Sequence, residues 1–164
     1  MPEQATVERA KRDRKAGKAA STQAGEFVHE EIRHVRRGKH GARSTKQAIA
    51  IGLSKARRAG VPLKPPKGGK RKTRASAAQA YRAGQSRRSR RPSATRSRAI
   101  SGALKREGRS VAARRALARQ ARSSAGRRTA GQRSSAAQRA ARTKGPAARS
   151  AAARKAARTR ARRR

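Results

Sequence analysis

The sequence contains no cysteine and almost no aromatic side chains, with one phenylalanine, one tyrosine and no tryptophan in 164 residues. Without cysteine, a disulfide framework, a thiolate zinc site and a thiol nucleophile are all excluded. Acidic residues are also scarce, because 7 Asp and Glu stand against 49 Lys and Arg, a formal net charge of +42. No apolar run approaches the roughly 18 residues that a membrane-spanning helix needs, and the chain does not open on the apolar segment of a secretory signal. The sequence therefore predicts no membrane partner.

Large apolar side chains are too few for a core that spans the whole chain. Hydrophobic residues make up 33% of the sequence, but 38 of them are alanine and only 16 are larger. Low hydrophobicity with high net charge is typical of chains that fold only with a partner. Because the excess charge is positive, the expected partner is a polyanion.

Charge and apolar residues are unevenly distributed along the chain. Residues 1–60 hold 15 basic and 6 acidic side chains, a net charge of +9, whereas residues 61–164 hold 34 basic and 1 acidic, a net charge of +33. Three prolines and two glycines in residues 61–72 disfavour a helix there. We therefore predict a small helical head at residues 1–60, a Pro/Gly/Lys linker at 61–73, and a low-complexity Arg/Ala/Ser tail at 74–164.

The predicted fold class is mainly α, and the head is expected to be a helical hairpin with or without a third helix. One amphipathic helix is predicted to begin at Ser21 and to end before Gly38, because its apolar residues recur at i, i+4 and i+7. A second is predicted from Ser44, which starts an S-T-K-Q capping box, to Gly60. Residues 4–16 can form the third helix. The residues expected to pack the head are Phe27, Val28, Ile32, Val35, Ile49 and Leu53.

Two small residues of the second predicted helix, Ala48 and Gly52, are expected to let the neighbouring helix approach closely. Burial of so few large side chains leaves the head marginally stable by itself. Stabilisation by a ligand or by a homodimer formed through the head is therefore an open expectation.

The tail is predicted to be largely disordered or conditionally helical. Alanine and arginine are strong helix formers. However, arginines four residues apart repel each other in free solution, and glycine and proline interrupt the tail repeatedly. Residues 97–122 have the strongest predicted tendency to form a helix, because they contain Ile100, Leu104, Val111 and Leu117.

The composition of the tail favours phosphate contacts with a duplex. Arginine outnumbers lysine 27 to 7 after residue 60, and its planar fork suits bidentate phosphate binding. Aromatic side chains that would stack on unpaired bases are nearly absent. The residues predicted to contact phosphate are Lys55, Arg57, Arg58, Lys70, Arg71, Lys72, Arg87, Arg88, Arg90, Arg91, Arg114, Arg115, Arg127, Arg128, Arg154, Lys155, Arg158, Arg162, Arg163 and Arg164.

The outward face of the second head helix also allows recognition of bases. It carries Gln47, Ile51, Ser54, Lys55 and Arg58, whose residue types can contact base edges and phosphates. Capping accounts equally well for the glutamine, and the connection between the two helices is longer than the turn of a helix-turn-helix motif. We therefore favour a solvated basic face over base-specific recognition.

No catalytic site, metal site or cofactor is predicted. The histidines and the carboxylates near them are His29, His34, His40, Glu26, Glu30 and Glu31. His29 and His34 are five residues apart and do not converge as ligands four apart do. Glu30 and Glu31 are expected to pair with Arg33 or with cations of the tail. Since no phosphate-binding loop or nucleophile motif occurs either, we predict that the protein is not an enzyme.

Residues 25–61, GEFVHEEIRHVRRGKHGARSTKQAIAIGLSKARRAGV, resemble a small bacterial domain family of unknown function. The STQA before this stretch and the Ala/Arg/Ser-rich units after it also resemble members of that family. The resemblance implies a bacterial origin and no mechanism. Separately, the composition of the tail is similar to the Ala-rich basic tails of linker histones, which implies DNA condensation.

Together these observations predict a histone-like protein of the bacterial nucleoid, in the cytoplasm. It is expected to bind duplex DNA largely without sequence preference, through phosphate contacts, and to bridge or compact it. Two alternatives stay open. The protein could be an RNA- or ribosome-associated basic protein, or a protein interaction module that its tail tethers to nucleic acid.

Overall fold

The structure, a computed structural model, describes residues 2–86 and 93–162. In these ranges the chain is mainly helical and forms no strand, so the predicted α class is confirmed. The helices are α1 (Gln4–Lys15), α2 (Ala20–Arg36), α3 (Thr45–Arg58), α4 (Arg71–Gln85), α5 (Ala94–Lys105), a short 3-10 helix (Ser110–Ala112), α6 (Arg114–Gly126) and α7 (Ala130–Ala161).

The chain divides into two compact units. The N-terminal unit comprises Met1–Gln120 and the C-terminal unit Ala121–Arg164. The first unit contains both the predicted head and the predicted linker, and it continues well into the region predicted to be tail. The sequence placed the end of the folded head at residue 60, whereas the structure places the division 60 residues later.

Helices α2 and α3 pack closely where their side chains are small. Ala48 is fully buried. A Cβ atom added at Gly52 would lie 2.7 Å from the Cα of Val28, so the backbones of the two helices meet there. The prediction of close approach at these two positions is therefore confirmed.

Some of the capping residues predicted at the helix ends are confirmed and others are not. The Ser44 hydroxyl accepts a hydrogen bond from the Gln47 amide, but the Gln47 side chain accepts from the Arg43 amide and not from that of Ser44. Gly38 follows α2 with a φ of +75°, a conformation that favours glycine. The predicted start of α2 at Ser21 is wrong, because the helix begins at Ala20 without a side-chain cap.

One apolar cluster joins the first three helices to the segment after α3. Phe27 is its fully buried centre, and Val61 belongs to it. The other members are Ala10, Ala24 and Ala56, with Val7, Ala20, Leu53 and Leu63 partly buried against them. The segment predicted to be a linker thus begins with core residues, and it ends early because α4 starts at Arg71.

In a second apolar cluster, residues of the predicted tail pack against the head. Its buried members are Ile32, Val35, Ala42, Ala48 and Ala112, with Val28, Val111 and Leu117 packed against them. Two hydrogen bonds support this docking: the Gly41 amide donates to the Leu104 carbonyl at 2.8 Å, and the Thr45 side-chain hydroxyl donates to the Val111 carbonyl at 2.8 Å. Of the other predicted packing residues, Ile49 is half-buried.

The prediction of a disordered tail is wrong for the described residues, which form helices α4 to α7. In α4, Ala77 and Ala80 are buried, and the backbone at Gly84 meets the Arg57 carbonyl of α3. Alanine therefore contributes both helix propensity and close packing here. Residues 97–122 are interrupted between α5 and α6, where the chain turns to dock on α2 and α3.

The C-terminal unit consists of the end of α6 and the long helix α7. Thr129 and Gln132 form a reciprocal capping box at the start of α7. The helix is kinked at Gly145, whose φ is +67°, immediately before Pro146. None of the described residues of α7 is buried.

Candidate nucleic-acid interface and a buried carboxylate cluster

The C-terminal unit is strongly basic. Residues 121–164 contain 15 Arg and Lys and no Asp or Glu. Every described residue of this unit is exposed or half-exposed. The predicted phosphate contacts Arg127, Arg128, Arg154, Lys155 and Arg158 are all exposed, and Arg162 is as well.

The second half of α7, together with its C-cap residue Arg162, gathers four of these cations on one side. Arg154, Arg158 and Arg162 follow one another at intervals of four residues, and Lys155 lies next to them. Their backbone positions span about 12 Å along the helix axis. We call these four residues the α7 basic stripe.

Basic pairs also lie at the beginnings of three helices. Arg71 and Lys72 are the first residues of α4, and Arg114 and Arg115 are the first residues of α6. Arg127 and Arg128 immediately precede the N-cap of α7. All six side chains are exposed, and so is Lys70, the N-cap of α4. None of these three helices has an acidic residue in its first turn.

Beside α4, Pro65 and Pro66 form an open groove with Arg71, Arg74, Ala75 and Ala78, with a volume of about 470 Å³. One end of the groove therefore meets the basic N-terminus of α4. Six of the predicted phosphate contacts, Arg87, Arg88, Arg90, Arg91, Arg163 and Arg164, lie outside the described residues.

In α3, two of the predicted phosphate contacts are engaged within the protein. Lys55 places its Nζ 2.6 Å from Glu31 Oε2. Arg57 is buried, and its Nε donates to the Leu63 carbonyl at 3.1 Å. Burial lowers the pKa of the Arg57 guanidinium. Arg58 is exposed. Of the five residues on the face considered for base recognition, Lys55 and Gln47 have partners within the protein, so fewer side chains there are available to contact DNA.

Two adjacent carboxylates are fully buried in α2. Glu30 accepts hydrogen bonds from the Glu3 amide at 3.2 and 3.3 Å, which places its negative charge at the N-terminus of α1. Glu31 pairs with Lys55 of α3. The expected partners, Arg33 and cations of the tail, were therefore wrong.

Glu3 links this cluster to the surface. Its Oε1 lies 2.8 Å from His34 Nε2 and 3.1 Å from Lys39 Nζ. These hydrogen bonds lower the pKa of Glu3 to about 2, and the one from His34 has a larger effect than the one from Lys39.

His40 completes the cluster from the connection between α2 and α3. Its Nδ1 donates to the Gly41 carbonyl at 3.0 Å. Its Nε2 lies 3.3 Å from Glu31 Oε1, and its ring meets that of His34 edge-on, with centroids 6.2 Å apart. Glu31, His34 and His40 each present a ligand atom within 4.8 Å of the other two.

The sequence contained a partial signal for this cluster. Phe27, Glu31 and Val35 recur every four residues and are all fully buried, so the carboxylate lies on the apolar face of α2. The approach of His40 could not be found from helix spacing. It depends on the turn at Gly38, after which the chain folds back toward α2.

No known protein family, curated protein or solved structure matches the chain. The resemblance to a bacterial domain family and the similarity to linker-histone tails therefore stay predictions. Across residues 2–86 and 93–162, none of the helices combines the length and the apolar character that crossing a membrane requires.

Proposed function

We propose that the protein binds duplex DNA through phosphate contacts, largely without sequence preference. On this proposal it belongs to the bacterial nucleoid, where it bridges or compacts DNA. The observation that carries the proposal is the α7 basic stripe, which lies in a unit without acidic side chains, and basic pairs at the N-termini of α4, α6 and α7 support it.

A helix N-terminus carries a partial positive charge and unpaired amide groups, so acidic residues are favourable there and basic residues are not. Each unfavourable placement costs roughly 0.3 to 1 kcal/mol at an exposed site. The pairs Arg71–Lys72 and Arg114–Arg115 have this arrangement, and no side chain caps the first turn of α4. A bound phosphate reverses the balance, because the helix amides and both side chains then attract the same anion.

The α7 basic stripe supports the same function. Arg154 and Arg158, and Arg158 and Arg162, are like-charged pairs four residues apart, and such pairs destabilise a helix by a few tenths of a kcal/mol each. The unit contains no acidic side chain that could relieve the repulsion. Phosphates of a polyanion relieve it, and release of their counterions supplies binding free energy.

The positions of the two aromatic residues favour a duplex over single strands. Phe27 is fully buried in the N-terminal unit, and Tyr81 is half-buried in α4. Single-strand binding relies on aromatic side chains on which successive bases stack. Because Phe27 is buried and Tyr81 is half-buried, few rings are available for stacking, and the protein is better suited to contact backbone phosphates.

The test is binding of the full-length protein to a fluorescent random duplex of about 30 base pairs across a salt series. Two variants with equal loss of charge are compared. In the first, the four residues of the α7 basic stripe are replaced by glutamine. In the second, the exposed residues Lys11, Arg12, Arg14 and Lys15 of α1 are replaced instead.

We expect the α7 variant to lower the slope of log affinity against log salt by roughly 3 to 4, since each lost phosphate contact removes about 0.9. The α1 variant should change the slope by less than half of this amount. Equal effects of the two variants would show that only total charge matters, and would refute an interface on α7. A structured RNA that binds more tightly than the duplex at every salt concentration would replace DNA with RNA as the partner.

A further inference from the structure

The buried cluster of Glu31, His34 and His40 has the composition of a metal site. The two imidazoles and the carboxylate come from α2 and from the turn after it. Glu31 is fully buried, and the side chains of His34 and His40 are 10% and 17% exposed. Two nitrogen donors and one carboxylate oxygen are a common ligand set for zinc and a poor one for magnesium or calcium.

The orientation of His40 leaves a lone pair directed at a carboxylate. A carbonyl oxygen can only accept, so the contact with Gly41 places a proton on Nδ1 of His40. In the neutral imidazole, Nε2 then carries a lone pair, and this atom lies 3.3 Å from Glu31 Oε1. Histidines that bind metals are commonly held in this way, by a hydrogen bond from the other ring nitrogen to a carbonyl.

Glu31 Oε1 has no hydrogen-bond partner among the residues that the structure describes. It is buried, and His40 Nε2 approaches it at 3.3 Å outside hydrogen-bond geometry. The other oxygen of the same carboxylate has the contact with Lys55. A buried carboxylate oxygen without a donor is costly, and a cation between it and the imidazole would remove that cost.

The charges of the cluster are consistent with an added cation. Glu30 and Glu31 are two fully buried carboxylates, and Lys55 is the ammonium group that contacts them, at 3.9 and 2.6 Å. One negative charge remains after this pairing. Glu3 and Lys39 balance each other at the edge of the cluster.

We propose that Glu31, His34 and His40 bind a divalent transition-metal ion of the zinc class. Zinc ligands lie about 2.0 to 2.2 Å from the ion, and the three donor atoms lie within 4.8 Å of one another, so the side chains must close slightly on the ion. Binding through His34 Nε2 also requires Glu3 Oε1, at 2.8 Å, and Lys39 Nζ, at 3.2 Å, to withdraw from that nitrogen, and the proton that His34 donates to Glu3 leaves when the ion binds. Both of these side chains lie at the surface, 42% and 52% exposed. The ion would tie the last turns of α2 to the connection that leads to α3, and this inference does not depend on nucleic-acid binding.

The experiment uses the untagged full-length protein, freed of metal by a chelator. The three histidines of the sequence are His29, His34 and His40, and there is no cysteine, so the candidate nitrogen and sulfur donors are few. Zn²⁺ binding is measured by calorimetry, and Co²⁺ is used as a spectroscopic probe. The variants are His34→Gln and His40→Gln, with His29→Gln as the matched control because His29 is exposed on the same helix.

We expect one ion per chain, visible absorption from Co²⁺ in a low-symmetry site, and at least a 10-fold loss of affinity in the His34 and His40 variants. The control should bind as the unchanged protein does. Absence of saturable binding, or unchanged affinity in His40→Gln, would overturn the proposal.

A second measurement needs no variant and therefore does not depend on whether the variants fold. The imidazole NMR signals of the unchanged protein are followed while Zn²⁺ is added. Signals of His34 and His40 should move together and saturate at one equivalent, whereas those of His29 stay in place. Movement of the His29 signals with those of His40 unmoved would exclude this site.

Discussion

The N-terminal and C-terminal units contain similar residue types but use them differently. In Met1–Gln120, alanines at positions such as 48, 56 and 112 are buried between helices, and several cations pair with buried carboxylates or donate to carbonyls. In Ala121–Arg164, no described residue is buried and no acidic side chain is present. A few large apolar residues therefore determine whether an Ala/Arg-rich helix packs against others or stays solvated.

The largest expected effect is a loss of stability confined to the N-terminal unit. Phe27→Ala removes the fully buried centre of the first apolar cluster and should reduce the free energy of unfolding by about 3 to 5 kcal/mol. Denaturant titration followed by circular dichroism measures it. The control is Ile100→Ala, at a side chain that is 54% exposed, which should cost less than about 0.5 kcal/mol. Equal costs for the two variants would contradict a core centred on Phe27.

The next largest effect is a loss of affinity for DNA, without a loss of stability, when the C-terminal unit is removed. A chain that ends at Gly126 keeps α6 and loses 14 of the 49 basic residues. Its affinity for a random duplex at ~150 mM salt should fall by about 100-fold or more, because many phosphate contacts are lost. The unfolding transition of the N-terminal unit should stay unchanged, as melting curves of both proteins would show. A shorter chain that ends at residue 73 is a poor test, because it also removes Val111 and Leu117 from the second cluster.

If the shortened chain binds the duplex as tightly as the full-length protein, the interface lies in the N-terminal unit. The basic pairs of α4 and α6 would then be the first residues to replace. If the shortened chain instead unfolds, the two units are not independent in stability.

A smaller effect tests the contact between α2 and α3. Gly52→Ala adds a Cβ that would lie 2.7 Å from the Cα of Val28, so the helices must separate, and we expect a cost of about 1 to 3 kcal/mol. Gly25→Ala is the matched control, since Gly25 is also in a helix but nothing lies within 4 Å of its added Cβ. The control should stabilise the protein by roughly 0.5 to 1 kcal/mol through helix propensity. Stabilisation by both substitutions would mean that α2 and α3 are farther apart than described.

The smallest expected effect lies in α7. Ala152→Gly should disfavour this helix by about 1 kcal/mol, because propensity is the only contribution that an exposed alanine makes. The amide signals around residue 152 should show faster hydrogen exchange, while those of α2 remain protected. Faster exchange in α2 as well would show that α7 contributes to the stability of the N-terminal unit.

Local signals in the sequence predicted much of the helical architecture. The periodic apolar residues of α2, the cap at Ser44 and the small residues of α3 all lie within a few positions of one another, so their effects can be derived from helix geometry. Arg58 and the α7 basic stripe were predicted to contact phosphate, and all five side chains are exposed. The sequence did not indicate that Val111 and Leu117 pack against the second cluster, because these two residues lie far along the chain from their partners.

The features of the candidate sites also fall into two groups, those that follow from local sequence and those that need long-range packing. The charge, the absence of thiol chemistry and the helical class follow from composition and local periodicity, because these act without long-range contacts. Long-range packing turns Lys55 and Arg57 inward and brings residues 104–117 into the folded unit. It alone brought His40 to Glu31, since this contact depends on the turn at Gly38 and on the packing of α3 against α2. Burial is a property of the packed chain, and it determines which charges remain free to meet a partner.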